Sequence, residues 1–228
     1  MSDRQAFVGG PDEPASRGEP LFHAPWPAVV IAGVILLCYA LQTQLVTTDA
    51  QLQNLAFSSE ALAVGQWSGL LTSLFMHGSW LHAGVNAGFA LAFGAPMARL
   101  FGLDIKGAAG FFLFYLVCGV LANLGFAAWP HRVEEGLIGA SGAVSGLAGG
   151  AARLIGSRYT GRLATLLDST VVGMSAAWIT SNLLIGVFGG AILSGGAPIA
   201  WQAHIAGYLA GLFLIGPVCA VFRLRVPL

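Results

Sequence analysis

The chain has 228 residues, of which 56% are hydrophobic and 9% charged, with no net formal charge. Ordinary globular domains carry roughly 25% charged residues. So low a share excludes a soluble core-and-surface architecture and points to an all-α polytopic membrane protein. Neutrality also argues against a nucleic-acid partner drawn by bulk electrostatics. Cys38, Cys118 and Cys219 lie in apolar runs at spacings that match no metal motif, and read as small buried apolar residues.

Residues 1–24 are polar and rich in Pro, Gly, Asp and Glu. They cannot bury a core and are expected to form a disordered cytoplasmic tail, with 25–228 as the membrane domain. No charged segment runs directly into a short apolar stretch with a cleavage site, so no signal peptide is read here. Residues 26–46 form the first run able to span a bilayer, with Trp26 at its interfacial start. A long connection over 47–80 is only partly apolar; its 67–76 stretch is too short to span and reads as interfacial or re-entrant. Further spans are expected at 81–100, 107–129, 141–155, 171–193 and 199–221. The fourth is short and glycine-rich.

With six spans, Arg4, Arg17, Arg99, Lys106, Arg153, Arg158, Arg162, Arg223 and Arg225 collect on one side, and only Arg132 on the other. The positive-inside rule then puts both termini in the cytoplasm, and the Glu134–Glu135 loop, Ser141 and the 194–198 loop outside. A five- or seven-span count breaks this segregation. The absence of a long internal repeat weakens a transporter built from inverted halves.

Three polar positions enter the membrane from the outer side. Ser141 lies in Gly139-Ala140-Ser141-Gly142 at the start of span four. Unpaired N–H groups and the positive end of the helix dipole favour an oxyanion there. A soluble nucleophile elbow, G-x-S-x-G, is excluded, because position 143 is Ala and no strand pattern precedes it. His204 lies four or five residues inside span six, roughly 6–8 Å at 1.5 Å per residue, so it shares a depth with Ser141. An ionisable residue within a span is costly and marks function by default. Gly142, Gly146 and Gly150 on span four, and Ala203, Gly207 and Gly211 on span six, form small-xxx-small ridges that let backbones approach closely. Packing those ridges together brings the Ser141 hydroxyl toward the His204 imidazole. A serine needs such a base, and histidine titrates in the right range. A third, orienting carboxylate is not evident: Asp168 falls near the cytoplasmic side, and Glu134 and Glu135 in a loop. A Ser-His dyad is therefore expected. His82 and Asn86, four apart on one face of span two, are placed to donate to a tetrahedral oxyanion. His77 reads as a loop-stabilising residue. A zinc site from His77, His82 and His204 is disfavoured by the lack of Cys, carboxylate or HExxH spacing.

In order and on spans two, four and six, His82-xxx-Asn86 with Gly94, Gly139-Ala140-Ser141-Gly142, and Ala203-His204-xx-Gly207-xxx-Gly211 resemble the motifs of rhomboid intramembrane serine proteases. The resemblance covers the region from about Trp26 to Arg225. It implies a six-transmembrane-helix bundle with a membrane-embedded first loop and span five as a lateral gate. It further implies Ser141 as nucleophile, His204 as general base, and His82, Asn86 and the Ser141 backbone N–H as oxyanion hole. The family cleaves transmembrane segments of membrane-anchored proteins without metal or cofactor, so the expected partners are such a substrate and the bilayer. The expected location is the bacterial inner membrane. The oligomeric state is left open. Three positions depart from the family pattern: Ser68 follows Trp67 where Arg is frequent, Ala98 stands where Glu is frequent, and Ser145 replaces an aromatic residue beneath the base. Tyr208, one turn below His204, is a candidate substitute for that ring. The alternative function, from another class, is an inactive rhomboid-like protein that binds membrane helices; intact Ser141, His204 and Asn86 argue against it. A small channel or transporter would want charged or broken helices near mid-bilayer, which are missing.

Overall fold

The computed structural model describes residues 24–129, 136–157, 160–188 and 199–226. The 1–23 stretch, the Glu134–Glu135 loop, Arg158 and the 194–198 loop lie outside the described residues. The described chain is almost wholly helical. Its main helices are α1 (Trp26–Leu45), α5 (Trp80–Phe101), α6 (Ile105–Ala128), α7 (Ser141–Gly156), α8 (Ser169–Phe188) and α9 (Trp201–Phe222). Between the first two lie the short helices α2 (Asp49–Leu55), α3 (Ser59–Ala63) and α4 (Gly69–Thr72), the last continuing into a 3₁₀ turn over Ser73–Phe75.

Local chemistry sets the helix starts. Pro25 and Pro27 open α1, where missing N–H groups cost nothing. Thr48 and Gln51 form a capping box on α2, and the Ser79 hydroxyl accepts from the His82 N–H at the start of α5. Asp104 caps α6 through the Gly107 N–H at 2.7 Å. Four helices, α1, α6, α8 and α9, are long and apolar enough to cross a membrane, and their outward faces expose residues such as Leu37, Leu113, Leu184 and Phe213. These helices make the chain a multi-pass membrane protein. The 22-residue α5 dilutes its apolar content with His82, Asn86 and Arg99.

Helix α7 is different in kind. Every residue from Gly142 to Ala152 is buried, because α5, α6, α8 and α9 surround it. A helix walled by other helices needs close contact more than hydropathy, which explains its glycine and alanine content. A Cβ built on Gly207 would overlap the Gly142 carbonyl oxygen, and one on Gly211 the Gly146 carbonyl oxygen. The two ridges therefore meet backbone to backbone between α7 and α9.

The remaining contacts fix which ends lie together. The Trp26 indole N–H donates to the Leu103 carbonyl at 2.9 Å, joining the start of α1 to the α5–α6 turn. At the other end of α1, the Gln42 amide brackets the His77 peptide unit: its Nε2 donates to the His77 carbonyl (2.7 Å) and its Oε1 accepts the His77 N–H (2.8 Å). Phe57 and Leu137 exchange two backbone hydrogen bonds, tying the α2–α3 connection to the segment before α7. Asn123 on α6 donates to the Leu70 carbonyl and the Ser73 hydroxyl, both at 3.0 Å. The short helices are thus bolted to the end of the bundle where α5, α7 and α9 begin.

Candidate active site

Ser141 is the first residue of α7, so its N–H is among those left without an intrahelical partner. The backbone reaches it through Gly139, whose φ of +127° is a conformation that side chains strongly disfavour. A side chain there would also fill the site: a Cβ on Gly139 would lie 2.8 Å from His82 Nε2 and 3.6 Å from the Ser141 hydroxyl. The glycine therefore keeps open a space bordered by both groups.

His204 stands in the first turn of α9, brought to Ser141 by the Gly142–Gly207 contact one turn deeper. Its Nε2 lies 2.8 Å from the Ser141 Oγ. Its Nδ1 lies 2.7 Å from the side-chain Oδ1 of Asn182 on α8. No carboxylate takes this position; an amide does. Ser145 sends its hydroxyl back to the Ser141 carbonyl at 2.7 Å. Tyr208 turns toward α8 instead of His204, stacking on Trp178 at a centroid distance of 5.7 Å and pairing with the Ser175 hydroxyl at 3.0 Å. The His204 ring is met by Asn182, not by Tyr208.

His82 and Asn86 lie on α5 one turn apart, and His82 Nε2 borders the space at Gly139 that the Ser141 hydroxyl also borders. The Gly78 N–H points at His82 Nδ1 over 3.4 Å. An Nδ1 that accepts leaves the proton on Nε2, the nitrogen facing the Gly139 space. Asn86 is 3% exposed, and its Nδ2 has no hydrogen-bond partner among the described residues. A buried amide donor left unpaired costs stability, and a catalytic role is one of the reasons a native fold keeps one.

His77 sits behind this array, fully buried and edge-on to the His82 ring at 5.1 Å. Burial holds its imidazole well below the ordinary histidine range, at about 4, so it stays neutral. Its Nε2 faces the Ala140 N–H at 3.4 Å, and it steadies the turn into Ser141 from below. Among the described residues, no group of three or more His, Cys, Asp or Glu is arranged to share a metal ion.

Asn182, Gln42 and Asn123 belong to no motif in the sequence. Each is an amide inside an apolar run, and each satisfies a partner distant in sequence. Their polarity was the available signal, since a polar side chain in a span seeks a partner. The partner itself is set by packing.

These features define a multi-pass helical membrane protein with a serine hydroxyl on a histidine nitrogen at one end of its bundle. Residues 64–221 match the family model described as the Rhomboid domain. The chain is 30% identical over 145 residues to the "Putative rhomboid protease YdcA" of Bacillus subtilis (strain 168), covering 58% of this chain and 68% of that protein. The chain belongs to the rhomboid family.

Proposed function

We propose that this chain is an intramembrane serine endopeptidase that hydrolyses a peptide bond in the transmembrane segment of a membrane-anchored protein. The observation that carries the reading is the 2.8 Å approach of Ser141 Oγ to His204 Nε2 at the buried start of α7. In this reading His204 Nε2 takes the hydroxyl proton as Ser141 Oγ attacks the substrate carbonyl carbon. The oxyanion is held by the Ser141 backbone N–H, His82 Nε2 and Asn86 Nδ2. The imidazolium then protonates the leaving amine. Water, deprotonated by the same nitrogen, hydrolyses the acyl-enzyme and releases a carboxylate. Purified protein in liposomes, given a model transmembrane substrate, tests this: two products should appear, one of them with a new N-terminus within or beside the apolar segment. An intact substrate under conditions where the protein is folded would end the protease reading.

The oxyanion donors give a graded expectation. Losing one such donor typically costs about 10²–10³ in kcat. Two others would remain here, so Asn86→Ala should lower kcat by about 10²-fold or somewhat less, with KM little changed. His82→Ala combined with Asn86→Ala should be much worse than either. A normal kcat for Asn86→Ala would make Asn86 a purely structural contact.

We further propose that α5 and α7 also cross the bilayer, giving six spans with the α2–α4 segment embedded as the first loop. The protease domain would then be residues 25–228, with 1–24 as a cytoplasmic tail, in a bacterial inner membrane. Support comes from charge: Arg99, Lys106, Arg153 and Arg223 sit at the ends of α5, α6, α7 and α9 remote from Ser141. Both termini are then cytoplasmic and Ser141 opens toward the outer face. Reporter fusions at the C-terminus and near Arg132 should report opposite sides; an external C-terminus would mean a span count wrong by one.

A further inference from the structure

We infer that Asn182 on α8 is a positioning residue that sets the tautomer and the direction of the His204 imidazole, making the array Ser141–His204–Asn182. The inference rests on the proteolytic reading above and concerns how its base is held.

His204 can stand in either of two neutral tautomers. With its proton on Nε2, His204 would donate to the Ser141 oxygen and could not take the hydroxyl proton. With its proton on Nδ1, Nε2 offers a lone pair and is a base. Geometry at Ser141 alone does not choose between these, because a hydroxyl both donates and accepts. The choice is made at the other nitrogen, 2.7 Å from Asn182 Oδ1.

An amide could be turned either way, and a turned amide would present N–H to Nδ1 and enforce the wrong tautomer. Asn182 is prevented from turning by its own helix. Its Nδ2 donates to the Trp178 carbonyl, one turn earlier, at 2.9 Å. A carbonyl oxygen only accepts, so the NH₂ must face Trp178 and the oxygen must face His204. The imidazole is thereby an N–H donor at Nδ1 and an acceptor at Nε2. Asn182 is 5% exposed, so little water competes for either bond.

The wider packing makes this placement deliberate in a physical sense. Ser175, Trp178, Asn182 and Gly186 recur at helical spacing on one face of α8. The first two meet Tyr208, the third meets His204, and a Cβ on Gly186 would overlap the Trp201 indole. That stripe is the seam between α8 and α9. Elsewhere α8 is little covered: among its described residues only Val171 and Asn182 are buried. The orientation of the base thus depends on a helix that packs on α7 and α9 along one side and is otherwise little covered.

An amide differs from the carboxylate of the familiar triads. It fixes the ring and its tautomer but carries no charge to stabilise an imidazolium. Its removal should therefore cost less than loss of the base itself. In liposomes with a model transmembrane substrate, Asn182→Leu, which keeps the volume and removes the acceptor, should lower kcat by about 10–10²-fold and leave KM within about twofold. Asn182→Asp, which restores an acceptor of the same shape, should recover turnover to within about tenfold of the unaltered protein. Normal turnover by Asn182→Leu would overturn the inference, and so would an Asp variant as slow as the Leu variant.

A second readout needs no turnover. Nitrogen-15 spectra of histidine-labelled, substrate-free protein, with His204 assigned by its loss in His204→Ala, should show His204 protonated at Nδ1. In Asn182→Leu that signature should give way to a mixture of tautomers. An Nε2-protonated ring, or a spectrum unchanged by the Leu substitution, would refute the role of Asn182. If the protein shows no turnover at all, the proteolytic reading fails while the spectrum still decides the tautomer.

Discussion

Ser141→Ala leaves a folded, membrane-inserted protein whose cleavage of a transmembrane substrate falls by at least about 10⁴-fold, to the limit of detection. The two halves of that expectation have separate causes. The hydroxyl contributes one side-chain hydrogen bond, to His204 at 2.8 Å, and such a bond is worth only about 1 kcal/mol net. Catalysis loses its nucleophile outright, and no neighbouring group replaces it: the Ser145 hydroxyl one turn on is committed to the Ser141 carbonyl. His204→Ala should come close to the same loss, because an unassisted serine hydroxyl is a poor nucleophile. Combining the two should add little, as groups acting in one step are not additive. Rates of product formation in liposomes, beside a thermal unfolding scan of each variant, check all of this.

Gly207→Val should be nearly as damaging to turnover by a purely mechanical route. The added Cβ would overlap the Gly142 carbonyl oxygen, which is backbone and has no rotamer to escape into. The α7–α9 seam must open, and His204, one turn from Gly207, moves away from Ser141. A misplacement of about 1 Å can cost about 10²-fold in rate, so kcat should fall by at least that much, further than stability alone would dictate. Gly173→Val on α8, where nothing lies within 4 Å, serves as the control and should keep near-normal turnover. Unchanged kcat in Gly207→Val would show that this seam does not set the distance between the two residues.

Much of this arrangement is legible in the sequence for an identifiable reason. Small residues at four-residue spacing are a direct statement about backbone approach, and the ridges through Gly142, Gly146, Gly207 and Gly211 meet as that spacing implies. Helix α7 begins at Ser141, as the Gly-Ala-Ser-Gly run indicates, and the last helix begins at Trp201, two residues inside the expected span. The short helices α2 to α4 are four to seven residues long, below the length at which an apolar period can be read.

Partners across the fold are a different matter. Asn182 reads in sequence as one amide in a long apolar run, and the third residue expected beside a Ser-His pair is a carboxylate. Its role follows from two contacts, one to His204 and one to its own helix, that no pattern encodes. Gln42 and Asn123 hold the first loop in the same way, through side-chain amide hydrogen bonds to peptide groups many residues distant. Tyr208 shows the converse. Its spacing from His204 suggests support for the ring, yet packing turns it toward Trp178 and Ser175.

The most direct measurement is the site of covalent capture by a fluorophosphonate, followed by peptide mass spectrometry of the purified protein in liposomes. The expected result is a single adduct on the Ser141 oxygen, absent in Ser141→Ala and strongly suppressed in folded His204→Ala. An adduct on another residue, or labelling of Ser141 that is indifferent to His204, would contradict the assignment of Ser141 as a nucleophile activated by His204.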